Sequence, residues 1–149
     1  MKEAMPVWDV HHADRLERCI GHALRDVKWE TFQIDGARSP GVYRLYLDFG
    51  KWISIFDDAG AWFINDQPPE SRQAVDEGGA RIEWSIHGLE DLAPSLKGLL
   101  GKRLMGFGPS PDREEIRLVF DDEAVIALSS GKLAEGDGAD EGFAVTVRP

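Results

Sequence analysis

The most regular feature of the hydrophobic pattern is a pair of alternating stretches that occurs twice along the chain. Residues 43–48 read Tyr-Arg-Leu-Tyr-Leu-Asp, and residues 52–55 follow as Trp-Ile-Ser-Ile. At a distance of 73 positions, residues 116–121 and 125–128 repeat the apolar positions, with Arg and Asp again at the same places. Alternation with a period of two predicts strands, and the polar residues between the stretches predict a hairpin in each copy. The ungapped match favours an internal duplication.

Five further segments have the short apolar runs of strands, bounded by glycine, proline or acidic turn residues. They are 28–34, 61–64, 81–87, 102–107 and 142–148. The segments 81–87 and 142–148 match at an offset of 61, so we expect them to be equivalent closing strands. The first half then has twelve extra residues, which the strand 61–64 and a long irregular loop at 65–79 account for.

Helical spacing of apolar residues occurs in two places. The first predicts a helix over 15–27, with Asp14 as its N-cap and Glu17 completing a capping box. The second predicts a short helix over 94–100 that begins at a proline and stops at Gly101.

Together these elements predict an α+β fold, with a largely antiparallel sheet or partly open barrel of eight to nine strands and two covering helices. The 149 residues fit a single domain, 1–149, that is long enough to bury a substantial core. The duplication divides it into pseudo-repeats at approximately 14–87 and 89–148, which we expect to be related by pseudo-two-fold symmetry.

Net charge, cysteine count and the lack of long apolar runs limit the partners and the location that we expect for the protein. The net charge is −10, which argues against nucleic acid and favours attraction of a basic protein. Cys19 is the single cysteine, so an intrachain disulfide is excluded. The sequence has neither the apolar run of a signal peptide nor that of a membrane span, so we expect no membrane association and a cytoplasmic location.

Motifs for catalysis are missing from the sequence. Nucleophile motifs and phosphate-binding glycine loops are absent, and the acids at 57–58 and 121–123 are typical of turns. The adjacent His11 and His12 point apart in regular structure, and the acidic run 135–141 departs from the calcium-loop pattern. We therefore expect no metal, no cofactor and no enzymatic activity.

Large aromatic residues are the remaining candidates for a site, because they cannot all face one side of a single sheet. They either fill the core on the two faces of the sheet or line a cleft under the loop 65–79. With the neighbouring acids, the candidate binding residues are Trp52, Phe56, Asp57, Asp58, Trp62 and Trp84.

These observations favour a non-catalytic interaction module of the kind found among small acidic bacterial proteins. Its expected partner is a basic protein, as for an immunity or inhibitor protein. One alternative is a small-ligand-binding domain with a pocket between the two halves, gated by the loop 65–79. Another is a hydrolase that uses the carboxylates of Asp57 and Asp58 or of Asp121 and Asp122.

Overall fold

The computed structural model describes residues 10–38, 41–58, 61–92, 94–110, 115–130 and 143–148. These residues form twelve strands. The strands are β1 Val10–His11, β2 Asp26–Ile34, β3 Ala37–Arg38, β4 Arg44–Asp48, β5 Trp52–Asp58, β6 Ala61–Asn65, β7 Val75–Glu77, β8 Ala80–Gly88, β9 Leu104–Pro109, β10 Glu115–Phe120, β11 Val125–Ser130 and β12 Phe143–Arg148. The helical elements are α1 Ala13–Glu17 and three 3₁₀ turns at Leu89–Asp91, Pro94–Leu99 and Asp121–Glu123.

The strands form two sheets, so the predicted single sheet or partly open barrel of eight to nine strands is wrong. The larger sheet has the order β1-β6-β5-β4-β2-β8-β7, with β3 paired to the end of β2. The smaller sheet is the meander β12-β11-β10-β9. Every pairing is antiparallel except that of β1 with β6.

The two predicted covering helices are also wrong. Helix α1 is five residues long, and its N-cap is His12 rather than Asp14. The chain then turns, because Gly21 adopts a left-handed φ of +92° and donates its N–H to the carbonyl of Leu104 at 2.8 Å. The second predicted helix is a 3₁₀ turn that begins at Pro94. The apolar residues that have helical spacing in the sequence are mostly buried. In the first predicted helix, however, most of the backbone pairs with distant segments instead of forming helical hydrogen bonds.

The two halves do not pair their strands in the same way, so the predicted pseudo-two-fold symmetry is wrong. Strand β8 pairs with β2, whereas β12 pairs with β11, so the two closing strands occupy different places. The matching hairpins also differ in register. Leu45 lies opposite Ile55, but its counterpart Leu118 lies opposite Ile126. What the two hairpins share is buried apolar side chains at matching positions, Leu45 and Leu47 in β4 and Leu118 and Phe120 in β10, which is common to half-buried sheets.

One hydrophobic core joins the two sheets. Apolar side chains from β4 and β5 belong to the same buried cluster as those from β10 and β11. Phe49 stacks on Phe120 with ring centroids 6.2 Å apart, and Trp62 meets Phe143 edge-on at 5.1 Å. The face of the larger sheet that points away from this core is called the second face below. In the described ranges, no helix has the length and apolar character needed to cross a membrane.

Candidate functional sites

The second face is organised by one row of side chains that crosses five strands of the larger sheet. The register places these side chains side by side. The row consists of Phe63, Phe56, Arg44, Glu30 and Ile86. A charged pair thus lies in the middle of an apolar row, where the two charges gain most from being paired.

Glu30 is the most buried charge of this row, with a side chain that is 0% exposed. Its Oε1 accepts a hydrogen bond from Nη2 of Arg72 at 2.5 Å and lies 3.6 Å from Nε of Arg44. Burial raises the pKa of Glu30, and the two guanidinium groups oppose that rise. Burial, and then the carboxylate of Glu30, raise the pKa of Tyr46. The Tyr46 phenol is therefore neutral at physiological pH.

Two aromatic rings lie close to the guanidinium of Arg72. Its central carbon lies 4.9 Å from the ring centroid of Trp84 and 5.5 Å from that of Tyr43, which are cation–π distances. Four buried polar atoms of this region make no hydrogen bond within the described part of the chain. They are Oε2 of Glu30, Nε of Arg44, the hydroxyl oxygen of Tyr46 and Nε1 of Trp84.

Arg72 belongs to residues 66–74, an irregular segment between β6 and β7 that we call the strap. Among the described residues, the backbone of the strap makes no hydrogen bond to other backbone groups. Side chains hold it instead. Asp66 pairs with Arg18 at 3.3 Å, and Oε1 of Gln67 accepts hydrogen bonds from Arg44 at 3.1 Å and Ser54 at 3.2 Å. The strap thus lies over the second face, and the remainder of the predicted loop forms β7 and its turn.

A basic cleft of about 270 Å³ lies where the turn after α1 meets the hairpin of β4 and β5. Most of its polar lining is cationic. Its basic residues are Arg15, Arg18, His22, Arg25 and Lys51, and its other lining residues are Cys19, Phe49, Gly50, Ile53 and Asp66. Nε of Arg15 lies 3.7 Å from the carboxylate of Asp66, which also pairs with Arg18. Within the described ranges, Arg25 and Lys51 have no ion-pair partner.

Cys19 lines this cleft but is only 7% exposed. Its Sγ lies 3.5 Å from the carbonyl oxygen of Arg15. Burial raises the pKa of the Cys19 thiol, although Arg18 opposes the rise. The nucleophilic form of cysteine is the thiolate, and a raised pKa disfavours that form.

The residues predicted from the sequence do not lie together. By the alternation of their strands, Trp52, Phe56 and Trp84 lie on the second face. Trp62 is in the core, and Asp57 is buried opposite it on the neighbouring strand. Asp58 ends β5, and its side chain lies outside the described residues.

The acids of the second hairpin turn have structural partners. Oδ2 of Asp121 accepts a hydrogen bond from the backbone N–H of Arg103 at 3.0 Å. Asp122 pairs with Lys102 at 2.7 Å, and the hydrogen bond from Lys102 lowers the pKa of Asp122. The acidic run 135–141 lies outside the described residues.

The sequence alone did not identify the charged residues of the second face or those of the basic cleft as candidate site residues. Arg44 alternates with Leu45 and Leu47 in the stretch 43–48, a position where a charge is ordinarily solvent-exposed, but its side chain is only 13% exposed. Glu30 and Arg72 were not singled out, because nothing local distinguishes a buried charge from a solvated one. The run of basic residues after Asp14, in an otherwise acidic chain, was the available signal for the cleft.

Among the described residues, no group of three or more His, Cys, Asp or Glu side chains is arranged to hold a metal ion. Comparison of the chain with protein-family models, curated proteins and solved structures finds no match.

Proposed function

We propose that the protein binds a small anionic ligand in the basic cleft. The observation that carries this proposal is the concentration of positive charge there. Four Arg and Lys side chains and one carboxylate line this cavity in a chain of net charge −10. Like charges placed together repel, so an anion that enters the cleft relieves this repulsion.

The size and chemistry of the cleft define the class of ligand. A volume of about 270 Å³ is close to the lower limit for small-molecule sites. The planar guanidinium of Arg25 suits a carboxylate or phosphate group, and Lys51 adds a compact charge. Phe49 and Ile53 supply apolar lining for the remainder of the ligand. A phosphate monoester or a di- or tricarboxylate fits this description.

Asp66 limits the affinity of the cleft, since it already occupies Arg15 and Arg18. An incoming anion must compete with this carboxylate for the two guanidinium groups. Arg25 and Lys51 are therefore the residues from which most of the binding free energy is expected.

The test is a calorimetric titration of the whole protein with inorganic phosphate, citrate and a hexose phosphate, with the free hexose as the neutral control. We expect the anions to bind and the free hexose not to bind. The double variant Arg25→Ala/Lys51→Ala should weaken binding at least about tenfold, because a hydrogen bond to a charged group contributes about 1.5–3 kcal/mol.

Arg81→Ala is the matched control, because Arg81 is an exposed arginine of β8 that pairs with Asp76 and Glu83 away from the cleft. It should leave anion affinity unchanged. The proposal is wrong if none of the anions binds, or if the double variant binds them as tightly as the wild type.

A further inference from the structure

On the second face, one carboxylate and two aromatic rings surround a guanidinium group of the same chain. These three groups come from the larger sheet or its connections: the carboxylate of Glu30 on β2, the ring of Trp84 on β8, and the ring of Tyr43 just before β4. We call these three side chains the cage. The group inside it, the Arg72 guanidinium, comes from the strap, whose described residues make no backbone–backbone hydrogen bond.

The chemistry of the cage suits arginine better than lysine. A planar guanidinium stacks on aromatic faces and donates two parallel hydrogen bonds to a carboxylate, whereas an ammonium group is a point charge. Arg72 donates to Oε1 of Glu30, and Oε2 makes no hydrogen bond within the described part of the chain. The internal arginine therefore uses only part of the hydrogen-bonding capacity of Glu30.

The strap is suited to exchange with another occupant. Among the described residues, the polar side-chain contacts of the strap with the sheet and with α1 come from Asp66, Gln67 and Arg72. A segment without backbone pairing opens at a lower free-energy cost than a paired strand does, so the Arg72–Glu30 ion pair is the main contact that keeps the strap closed. Opening would expose the cage without disturbing the hydrogen bonds between strands.

We propose that the cage is a binding site for an arginine side chain of a basic partner protein, and that Arg72 is an internal occupant that keeps the site closed. The net charge of −10 steers such a partner towards the chain. The partner must displace the strap, so its apparent affinity equals its intrinsic affinity multiplied by the fraction of protein in which the strap is open. The cage shares no side chain with the anion cleft, although the strap contributes Asp66 to the lining of the cleft. Either proposal can fail without the other.

The first test empties the cage with Arg72→Ala and offers small cations in its place. We expect millimolar ethylguanidinium to raise the melting temperature of this variant in a saturable way, and ethylammonium to raise it less. The wild type and the matched variant Arg81→Ala, which loses the same charge elsewhere on the larger sheet, should show no such gain. Equal responses of the Arg72→Ala and Arg81→Ala variants would overturn the proposal.

The second test concerns an external partner and uses a short arginine-containing peptide, with its citrulline counterpart as the uncharged control. The Arg72→Ala variant should bind the arginine peptide at least about tenfold more tightly than the wild type, because no strap side chain competes. Adding Glu30→Gln should abolish that gain.

If Arg72→Ala does not fold, the variant Gln67→Ala replaces it, since it loosens the strap and retains Arg72. It should bind the arginine peptide more tightly than the wild type does. The proposal fails if opening the strap leaves peptide affinity unchanged, or if the citrulline peptide binds equally well.

Discussion

Replacing Arg72 with methionine tests whether the strap neutralises a buried charge. Methionine retains much of the aliphatic packing but leaves Glu30, which is 0% exposed, without its hydrogen-bonded cation. Removing one partner of a buried ion pair costs about 3–5 kcal/mol. Because Arg44 still lies 3.6 Å from the carboxylate, we expect the lower end of that range, about 3 kcal/mol.

The loss of stability in Arg72→Met should be larger at pH 7 than at lower pH. Burial raises the pKa of Glu30, so the folded chain holds this proton more tightly than the unfolded chain does. The free energy of unfolding from this group therefore increases as the pH falls through the folded pKa, and the gain is complete below the unfolded value of about 4.3. In Arg72→Met, Arg72 no longer opposes the rise in pKa. The deficit of the variant should therefore shrink from pH 7 towards pH 4.5.

Urea denaturation followed by tryptophan fluorescence is the suitable assay, because urea does not screen ion pairs. With an m-value of about 2 kcal/mol/M, the expected loss lowers the midpoint by about 1.5 M at pH 7. Adding Glu30→Gln to Arg72→Met removes the buried charge and should recover most of the loss. If the double variant is no more stable than the single one and neither depends on pH, Glu30 is not the source of the cost.

Four further substitutions test three separate features of the structure. Leu118→Ala deletes a completely buried side chain of β10 and should lower the free energy of unfolding by about 2–5 kcal/mol in urea melts; a loss below about 1 kcal/mol would contradict its place in the core. Gly101→Ala should cost about 1 kcal/mol because Gly101 has a φ of +92°, whereas Gly98→Ala, with nothing within 4 Å and no left-handed φ, should be neutral or slightly stabilising; equal effects in urea melts would contradict this reason. Lys102→Met should return the pKa of Asp122 towards its ordinary value in an NMR titration, and an unchanged pKa would show that Lys102 does not lower it.

Much of the strand content was predictable because alternation depends only on which side chains are buried. The predicted stretch 116–121 overlaps β10 Glu115–Phe120 in all but its last residue, and 61–64 falls within β6 Ala61–Asn65. The sheet to which each strand belongs was not predictable, because it depends on pairing between strands that are distant in the sequence. The closing strand β8 pairs with β2, and no local pattern distinguishes that edge from the edge next to β5.

The predicted helix 15–27 is wrong because of a glycine within it. Apolar residues from Leu16 to Val27 have helical spacing, but Gly21 lies in the middle of the pattern and has the lowest cost for a left-handed turn. Its N–H then bonds to the carbonyl of Leu104, the first residue of β9, and the N–H of Leu24 bonds to the carbonyl of Lys102 just before β9. A partner distant in sequence thus decided between helix and turn.

The candidate binding residues predicted from the sequence lie in different parts of the structure. Trp84 lies beside the buried charge cluster, whereas Trp62 is packed in the core against Phe143. Aromatic content reveals that large side chains are available, but only strand register determines which face each one occupies. The basic cleft brings together residues from α1, the following turn and a hairpin tip, a grouping that appears only when the chain is folded.

The two sheets have different consequences for how quickly the chain can fold. Strands β9 to β12 follow one another in both sequence and space, so each pairing closes a short connection. The central pairing of β2 with β8 joins residues that are 48 to 60 positions apart, from Ile34 with Ile82 to Lys28 with Gly88. Longer closures lose more chain entropy before any contact compensates. The smaller sheet is therefore expected to form early, as a surface on which the larger sheet completes its slower, long-range pairing.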